Sequence, residues 1–261
     1  MSTIRLKKWN PRLIGDDKTI LVIGKRGSGK STAISDILYS KRDRIPAAMV
    51  ISGTEESNGH YSKYVPPIFV HSEYRTEILE RVFQRQKDAI RKNSVSPTLL
   101  VLDDCLYDKA FLKDVAFRNL MLNGRHYKLF TVISTQYALD IPPYARANFD
   151  YVICFRDPIK SNRERLYKQF FGIFDAYKDF ASVYDACSEN FECIVLDQTS
   201  RSNKVSDSVF WWKASIRPQF RFGSNAYWAT GMSLLRRGLR KPPKDKTDKP
   251  PEKKTIIKKL L

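Results

Sequence analysis

Short runs of consecutive apolar residues recur along the chain, separated by longer stretches in which apolar positions return every three or four residues. The short runs fall at 19–23, 47–51, 98–102, 129–133, 151–155 and 192–196 and hold almost no polar position, the pattern of strands buried on both faces. A shorter run at 68–71 adds a small strand, and 208–212 reads as a final edge strand. Helical stretches lie between them, at 30–41, 73–92, 110–122, 162–171 and 177–187. In 73–92 the residues Tyr74, Ile78, Val82, Phe83 and Ile90 fall at helical spacing under a charged outer face, and in 110–122 Phe111, Val115 and Leu122 are expected on one side. Strands alternating with helices predict an α/β fold: a largely parallel central sheet with helices on both faces.

No internal repeat appears, and no second region has the apolar content for its own core. The pattern divides the 261 residues into an N-terminal arm (1–17), one folded domain (18–214), a basic and aromatic extension (215–240) and a Lys/Pro-rich tail (241–261) expected to be disordered. The charge balance adds a partner class. The chain carries 46 Lys or Arg against 28 acids, a net +18. The last 26 residues account for +8, so the first 235 are basic in their own right, at +10. That surface suits a polyanion, of which nucleic acid is the commonest. The four cysteines (Cys105, Cys154, Cys187 and Cys193) have neither zinc-ligand spacing nor a neighbouring His at such spacing, and fit a reducing compartment. Neither a signal peptide nor a membrane-spanning run is evident.

The first apolar run ends in Gly24-Lys25-Arg26-Gly27-Ser28-Gly29-Lys30-Ser31, the G-x-x-x-x-G-K-[ST] pattern with a strand before it and a helix after it. Glycines there let successive backbone N–H groups wrap a β-phosphate while the following helix directs its positive end at the same place. Nucleotide contacts are expected from all eight residues and Thr32, with Lys30 reaching the β- and γ-phosphates and Ser31 ligating Mg²⁺. The run at 98–102 ends in Asp103-Asp104. An acid at the tip of a buried strand next to the phosphate loop holds Mg²⁺ through water, which assigns Asp103. Asp104 is then placed to orient or deprotonate the attacking water. The next strand ends in Ser134-Thr135-Gln136, where Gln136 can sense the γ-phosphate. For an arginine finger, worth about 10³ to 10⁵ in rate, Arg146 is the first candidate, on the reading that it lies on the same rim; Arg125 and Arg118 follow.

These motifs together resemble the genome-packaging ATPases of poxviruses and other large DNA viruses, members of the FtsK–HerA superfamily. The resemblance rests on GKRGSGKS, LLVLDDC, NGRHYK, ISTQ and the Pro-Pro-x-x-Arg segment before YVICFR. It implies a homo-oligomeric ring hydrolysing ATP with Mg²⁺ to drive double-stranded DNA into a preformed capsid, with a capsid portal or vertex as partner. The location implied is the viral assembly site in host cytoplasm, and the virion. By match to the family's motifs, Lys30 and Ser31 carry over to nucleotide and metal, Asp103 and Asp104 to the acidic pair, and Gln136 to the sensor. The guanine-reading Asn-Lys-x-Asp is missing, since Asn203-Lys204 is followed by Val and Ser, and so is the ABC-type Leu-Ser-Gly-Gly. A P-loop small-molecule kinase and a nucleic-acid-binding ATP switch remain as alternatives.

Overall fold

The computed structural model describes residues 4–105, 109–137 and 141–238; the tail at 241–261 lies outside the described residues. Among these, nine strands form one sheet: β1 (Lys7–Lys8), β2 (Thr19–Ile23), β3 (Ala47–Ser52), β4 (Val70–His71), β5 (Thr98–Asp103), β6 (Leu129–Thr135), β7 (Tyr151–Phe155), β8 (Glu192–Asp197) and β9 (Val209–Lys213). Their order is β1-β9-β8-β7-β2-β6-β5-β3-β4, and β8 alone runs against the rest. The helices are α1 (Lys30–Lys41), α2 (Glu55–Asn58), α3 (Thr76–Arg91), α4 (Lys109–Lys113), α5 (Val115–Asn123), α6 (Pro143–Arg146), α7 (Lys160–Phe170), α8 (Tyr177–Cys187), α9 (Val205–Ser208) and α10 (Asn225–Arg236).

Every residue of β2, β5, β6 and β7 is buried, because alternate side chains enter two different cores. Leu21, Leu100, Leu102 and Ile133 pack with α3, α5, α7 and α8, while Ile20, Val22, Leu99 and Val101 pack with Ala33, Ile34, Ile37 and Leu38 of α1. The α/β architecture read from the apolar runs is therefore the one that folds.

Two local expectations are corrected. The helix expected over 110–122 is broken at Asp114, whose carboxylate accepts the Ala116 amide at 2.6 Å and the Thr76 hydroxyl. The break turns the second piece so that Ala116, Phe117, Leu120 and Met121 face the core, leaving Val115 81 % exposed and Leu122 partly so. A side-chain cap on a new helix start overrides a continuous 3.6-residue count. Nor is β9 an edge: Lys7 and Lys8 pair outside it in parallel register, and the Trp9 amide donates to Trp211 O at 2.9 Å.

Both ends of the described chain are packed against the domain. Trp9 is buried between Tyr151 and Trp212. At the other end, Phe222 is buried, Gly223 adopts φ 82 where a Cβ would meet Pro46 O at 2.5 Å, and the Tyr227 hydroxyl donates to Ala48 O at 2.6 Å. The fastening of the N-terminal segment is Lys41, whose side chain is wholly buried. Its ammonium donates to Ile14 O and to Asp16 at 3.0 Å and sits over the Phe130 ring; burial lowers its pKa and Asp16 opposes that.

Removing one member of a buried ion pair strands its partner, at a cost of about 3 kcal/mol or more. Lys41→Ala is expected to lose roughly that much in chemical denaturation. Lys41→Met, which keeps the volume while Asp16 retains Arg44 at 2.8 Å, is expected to recover most of it.

Candidate active site

Strands β7, β2, β6, β5 and β3 are parallel, so the loops that follow them gather on one edge of the sheet, where ligands of such sheets bind. The loop after β2 is fastened there by the Gly24 amide, which donates to Thr135 O at 3.1 Å. Gly24 has to be glycine. A Cβ would lie 2.5 Å from Ser28 Oγ and 2.9 Å from Phe155 Cβ. Gly29 caps α1 with φ 107, a left-handed conformation that L side chains avoid. Lys30 folds back over the loop, its ammonium donating to Gly24 O at 2.6 Å. Lys25 pairs with Asp157 at 3.0 Å, and Asp157 also accepts from the Ile159 amide and Asn162 Nδ2, tying the loop to the start of α7. Ser28 Oγ is buried with no partner among the described residues, a polar atom in need of one.

The strand bearing the acids is not next to the phosphate loop, as the sequence reading had it. β6 lies between β2 and β5, and that insertion supplies the link. Ser134, paired in register with Asp103, donates its hydroxyl to Asp103 Oδ1 and accepts the Asp104 amide at 3.1 Å. Ser52, at the end of β3, donates to Asp103 Oδ2 at 3.3 Å. Asp103 is buried and so fixed on both oxygens. Asp104 takes a left-handed backbone, φ 50, that turns its side chain off the strand axis. Gln136 Nε2 donates to Asp104 Oδ2 at 3.4 Å, and Oδ1 is buried with no partner among the described residues. Burial raises the Asp104 pKa most, Lys30 opposes this, Asp103 adds to it and the Gln136 hydrogen bond lowers it.

Beneath the pair, Tyr61 is wholly buried, its phenol pKa raised well above its ordinary value by burial and then by Asp103. Glu55 holds that turn together by accepting the Tyr61 and Ser62 amides, each at 2.9 Å. Ser52, Tyr61 and Glu55 were missed in the sequence; they come from other strands and turns, and only pairing register brings them to the acids. Ser134 had a signal, since strand alternation puts it on the same face as Gln136.

A cavity of about 980 Å³ is lined by Lys25, Arg26, Gly27, Gly29, Lys30, Ser31, Thr32, Asp103, Asp104 and Gln136, with Thr54, Phe191, Lys213 and Ile216 around the rim. Apart from Gly24 and Ser28, the residues expected to handle phosphate, metal and water thus share one space. The arginines do not. Arg125 stands in the turn that leads into the first residue of β6, and Arg146 is four residues ahead of Asp150, whose amide bonds Thr19 O at the start of β2. Both precede strands whose first residues stand at the opening edge of the sheet, and Arg146, expected on the rim of Gln136, does not line the cavity that Gln136 lines. Arg146 donates to Ile141 O at 2.9 Å, and Arg118 sits over the Tyr144 ring.

A sequence-family profile described as Poxvirus A32 protein matches residues 8–189. The chain belongs to the poxvirus A32 family. It is 37 % identical over 231 residues to protein 075L of Invertebrate iridescent virus 6, covering 86 % of this chain and 88 % of that one. To protein L437 of Acanthamoeba polyphaga mimivirus it is 34 % identical over 221 residues, 81 % of this chain and 77 % of that one. Among solved structures, the genome packaging NTPase B204 of Sulfolobus turreted icosahedral virus 2, in complex with ATPγS, superposes with a TM-score of 0.56 at 18 % identity over 79 % of this chain and all of that one. The pCW3 conjugation coupling protein TcpA gives 0.54 at 15 % identity over 86 % of this chain and 66 % of that one. The resemblance read from the motifs is borne out, and this A32-family protein is an ATPase of the P-loop class.

A carboxyl whose pKa is raised on folding favours the fold while protonated, below its unfolded pKa, and that contribution is lost as pH rises through the folded pKa. At neutral pH the ionised Asp104 is therefore a cost to stability. Asp104→Asn is expected to raise the melting temperature at neutral pH, by a margin that shrinks as pH falls, and to cut ATP turnover about 10²- to 10⁴-fold; calorimetry and a phosphate-release assay measure the two.

Proposed function

We propose that this ATPase drives double-stranded DNA into a preformed viral capsid, working as a homo-oligomeric ring with ATP between neighbouring subunits. The observation that carries the proposal is the division of the site. The phosphate loop, the two acids and Gln136 share one cavity, whereas the three candidate finger arginines stand on other parts of the molecule. An arginine outside its own cavity is free to serve a neighbour's nucleotide. The proteins named genome packaging NTPase and conjugation coupling protein have the same fold, and the basic balance of the chain favours backbone contacts with DNA that read no bases.

In this reading Lys30 and the loop amides hold the β- and γ-phosphates. Ser31 and Asp103 would hold Mg²⁺: the donors are hard oxygens, which suit that ion, and Asp103 is already oriented by two hydroxyls. The ion neutralises charge on the phosphates when bound. Gln136 positions the attacking water against Asp104, and Asp104 Oδ1, which has no partner among the described residues, is the atom that takes its proton. Loss of the γ-phosphate releases Lys30 and Gln136, and through the Lys25–Asp157 pair the change reaches α7. Residues 18–214 are then the catalytic unit, braced by 4–17 and 215–238. A capsid portal or vertex is the further partner, and the viral assembly site in host cytoplasm and the virion are the places of action.

ATP turnover with and without double-stranded DNA, alongside mass measurement of the assembly, tests the proposal. Stimulation by DNA and a multimeric mass are expected, with Lys30→Ala abolishing turnover while keeping DNA bound. Turnover indifferent to DNA, with phosphate transferred to a nucleoside, would indicate a kinase instead.

Mixing subunits locates the finger. Arg146→Ala, Arg125→Ala and Arg118→Ala each leave the phosphate cradle intact. The variant that removes the finger is expected to lose about 10³-fold or more in rate alone and to regain turnover when mixed with Lys30→Ala subunits. No recovery in any mixture would place the finger in cis.

A further inference from the structure

Two exposed apolar side chains at the mouth of the cavity are held there by structure that gains little from them. Asn190 and Phe191, in the turn between α8 and β8, both have left-handed backbones, φ 49 and 64. Asn tolerates that region; a bulky aromatic residue is a genuine outlier there. The Phe191 ring is nevertheless 67 % exposed, so packing does not offset the strain. It stands over the phosphate loop, 3.6 Å from where a Cβ on Gly29 would lie. Ile216 is 90 % exposed, yet both its neighbours are fixed. Asp36, buried on α1, accepts the Ser215 amide at 2.8 Å and Arg217 Nε at 2.7 Å, and the Arg217 guanidinium stacks over the Tyr39 ring. A strained turn and a pinned segment thus present one flat and one branched apolar group to the same space as Gly29, Ser31 and Thr32.

The sheet order says which part of a nucleotide would reach them. Asp103, Asp104 and Gln136, which face the γ-phosphate end, follow β5 and β6 on one side of β2. Phe191 precedes β8 and Ile216 follows β9, on the other side. A triphosphate lying along the loop with its γ end at the acids therefore directs its base toward Phe191 and Ile216.

We propose that Phe191 and Ile216 are the two jaws of a base clamp that stacks the purine of the bound nucleotide. The clamp rests on the reading of Gly24–Ser31 as the ATP phosphate cradle. It grips the face of the base rather than its edge, and the strain at Phe191 is what keeps the ring in place for it.

Binding of Mg-ATP and of inorganic tripolyphosphate, measured by calorimetry on the full chain, tests the proposal. Base–aromatic stacking is of a size to weaken ATP binding about tenfold or more in Phe191→Ala, with a smaller loss in Ile216→Ser and tripolyphosphate binding unchanged in both. Phe191→Gly relieves the left-handed backbone, so it is expected to raise the melting temperature while still weakening ATP. ATP affinity unchanged in Phe191→Ala and Ile216→Ser, or an equal loss for both ligands, overturns the clamp alone. Wild type that binds neither ligand overturns the phosphate-cradle reading and the clamp with it.

Discussion

The hydrogen bond from the Gly24 amide to the Thr135 carbonyl joins the phosphate loop to the end of β6, and the arrangement of the site depends on that junction. One residue back, Ser134 holds Asp103 by its hydroxyl and receives the Asp104 amide; one residue on, Gln136 reaches Asp104. A single three-residue strand end therefore fixes the distance between the loop and both acids. Had β5 paired directly with β2, the acids would stand one strand spacing, about 4.8 Å, closer to the loop, and nothing would occupy the position of Gln136. In the proposed mechanism the interposed strand leaves room for a water between the γ-phosphate and Asp104.

That room is kept by burial on both faces of the sheet. Loops after parallel strands can be precise only if the strand ends cannot slide, and a one-residue slip in β6 would move Ile133 and Val132 into the wrong cores. Since every residue of β2, β5 and β6 is buried, such a slip would exchange the contents of two cores at once. The apolar runs that identify these strands in the sequence are thus also what holds the groups of the candidate site in register.

Much of the fold was legible for this reason. The strand at 151–155 and the helix at 177–187 appear with the bounds their apolar patterns give, and the phosphate loop is a local motif that needs no tertiary context. The losses have physical causes. Asp114 is a hydrophilic residue in a helical count, and the sequence does not show that Thr76, thirty-eight positions away, would help it start a new helix. Lys7 and Lys8 look like an arm because their pairing with β9 uses backbone, which leaves no side-chain signature. Ser52, Glu55 and Tyr61 serve the acids only through register and a turn. Phe191 was invisible because its meaning lies in a dihedral angle.

The geometry that assembles one half of the site also accounts for where the proposed other half lies. A parallel strand has its ends on opposite edges, so the segments that lead back from the phosphate edge must cross to the opening edge before the next strand begins. The connections into β6 and β7 make that crossing, and Arg125 and Arg146 sit close to where they finish. Neither lines the cavity of its own subunit. In a ring the opening edge and the helices beside it are free to meet the next subunit's phosphate edge, and α5 already presents Val115 and Leu122 to solvent beside Arg118. An arginine delivered in this way is withdrawn whenever neighbouring subunits move apart. In the proposed ring, hydrolysis would then be conditional on contact between subunits.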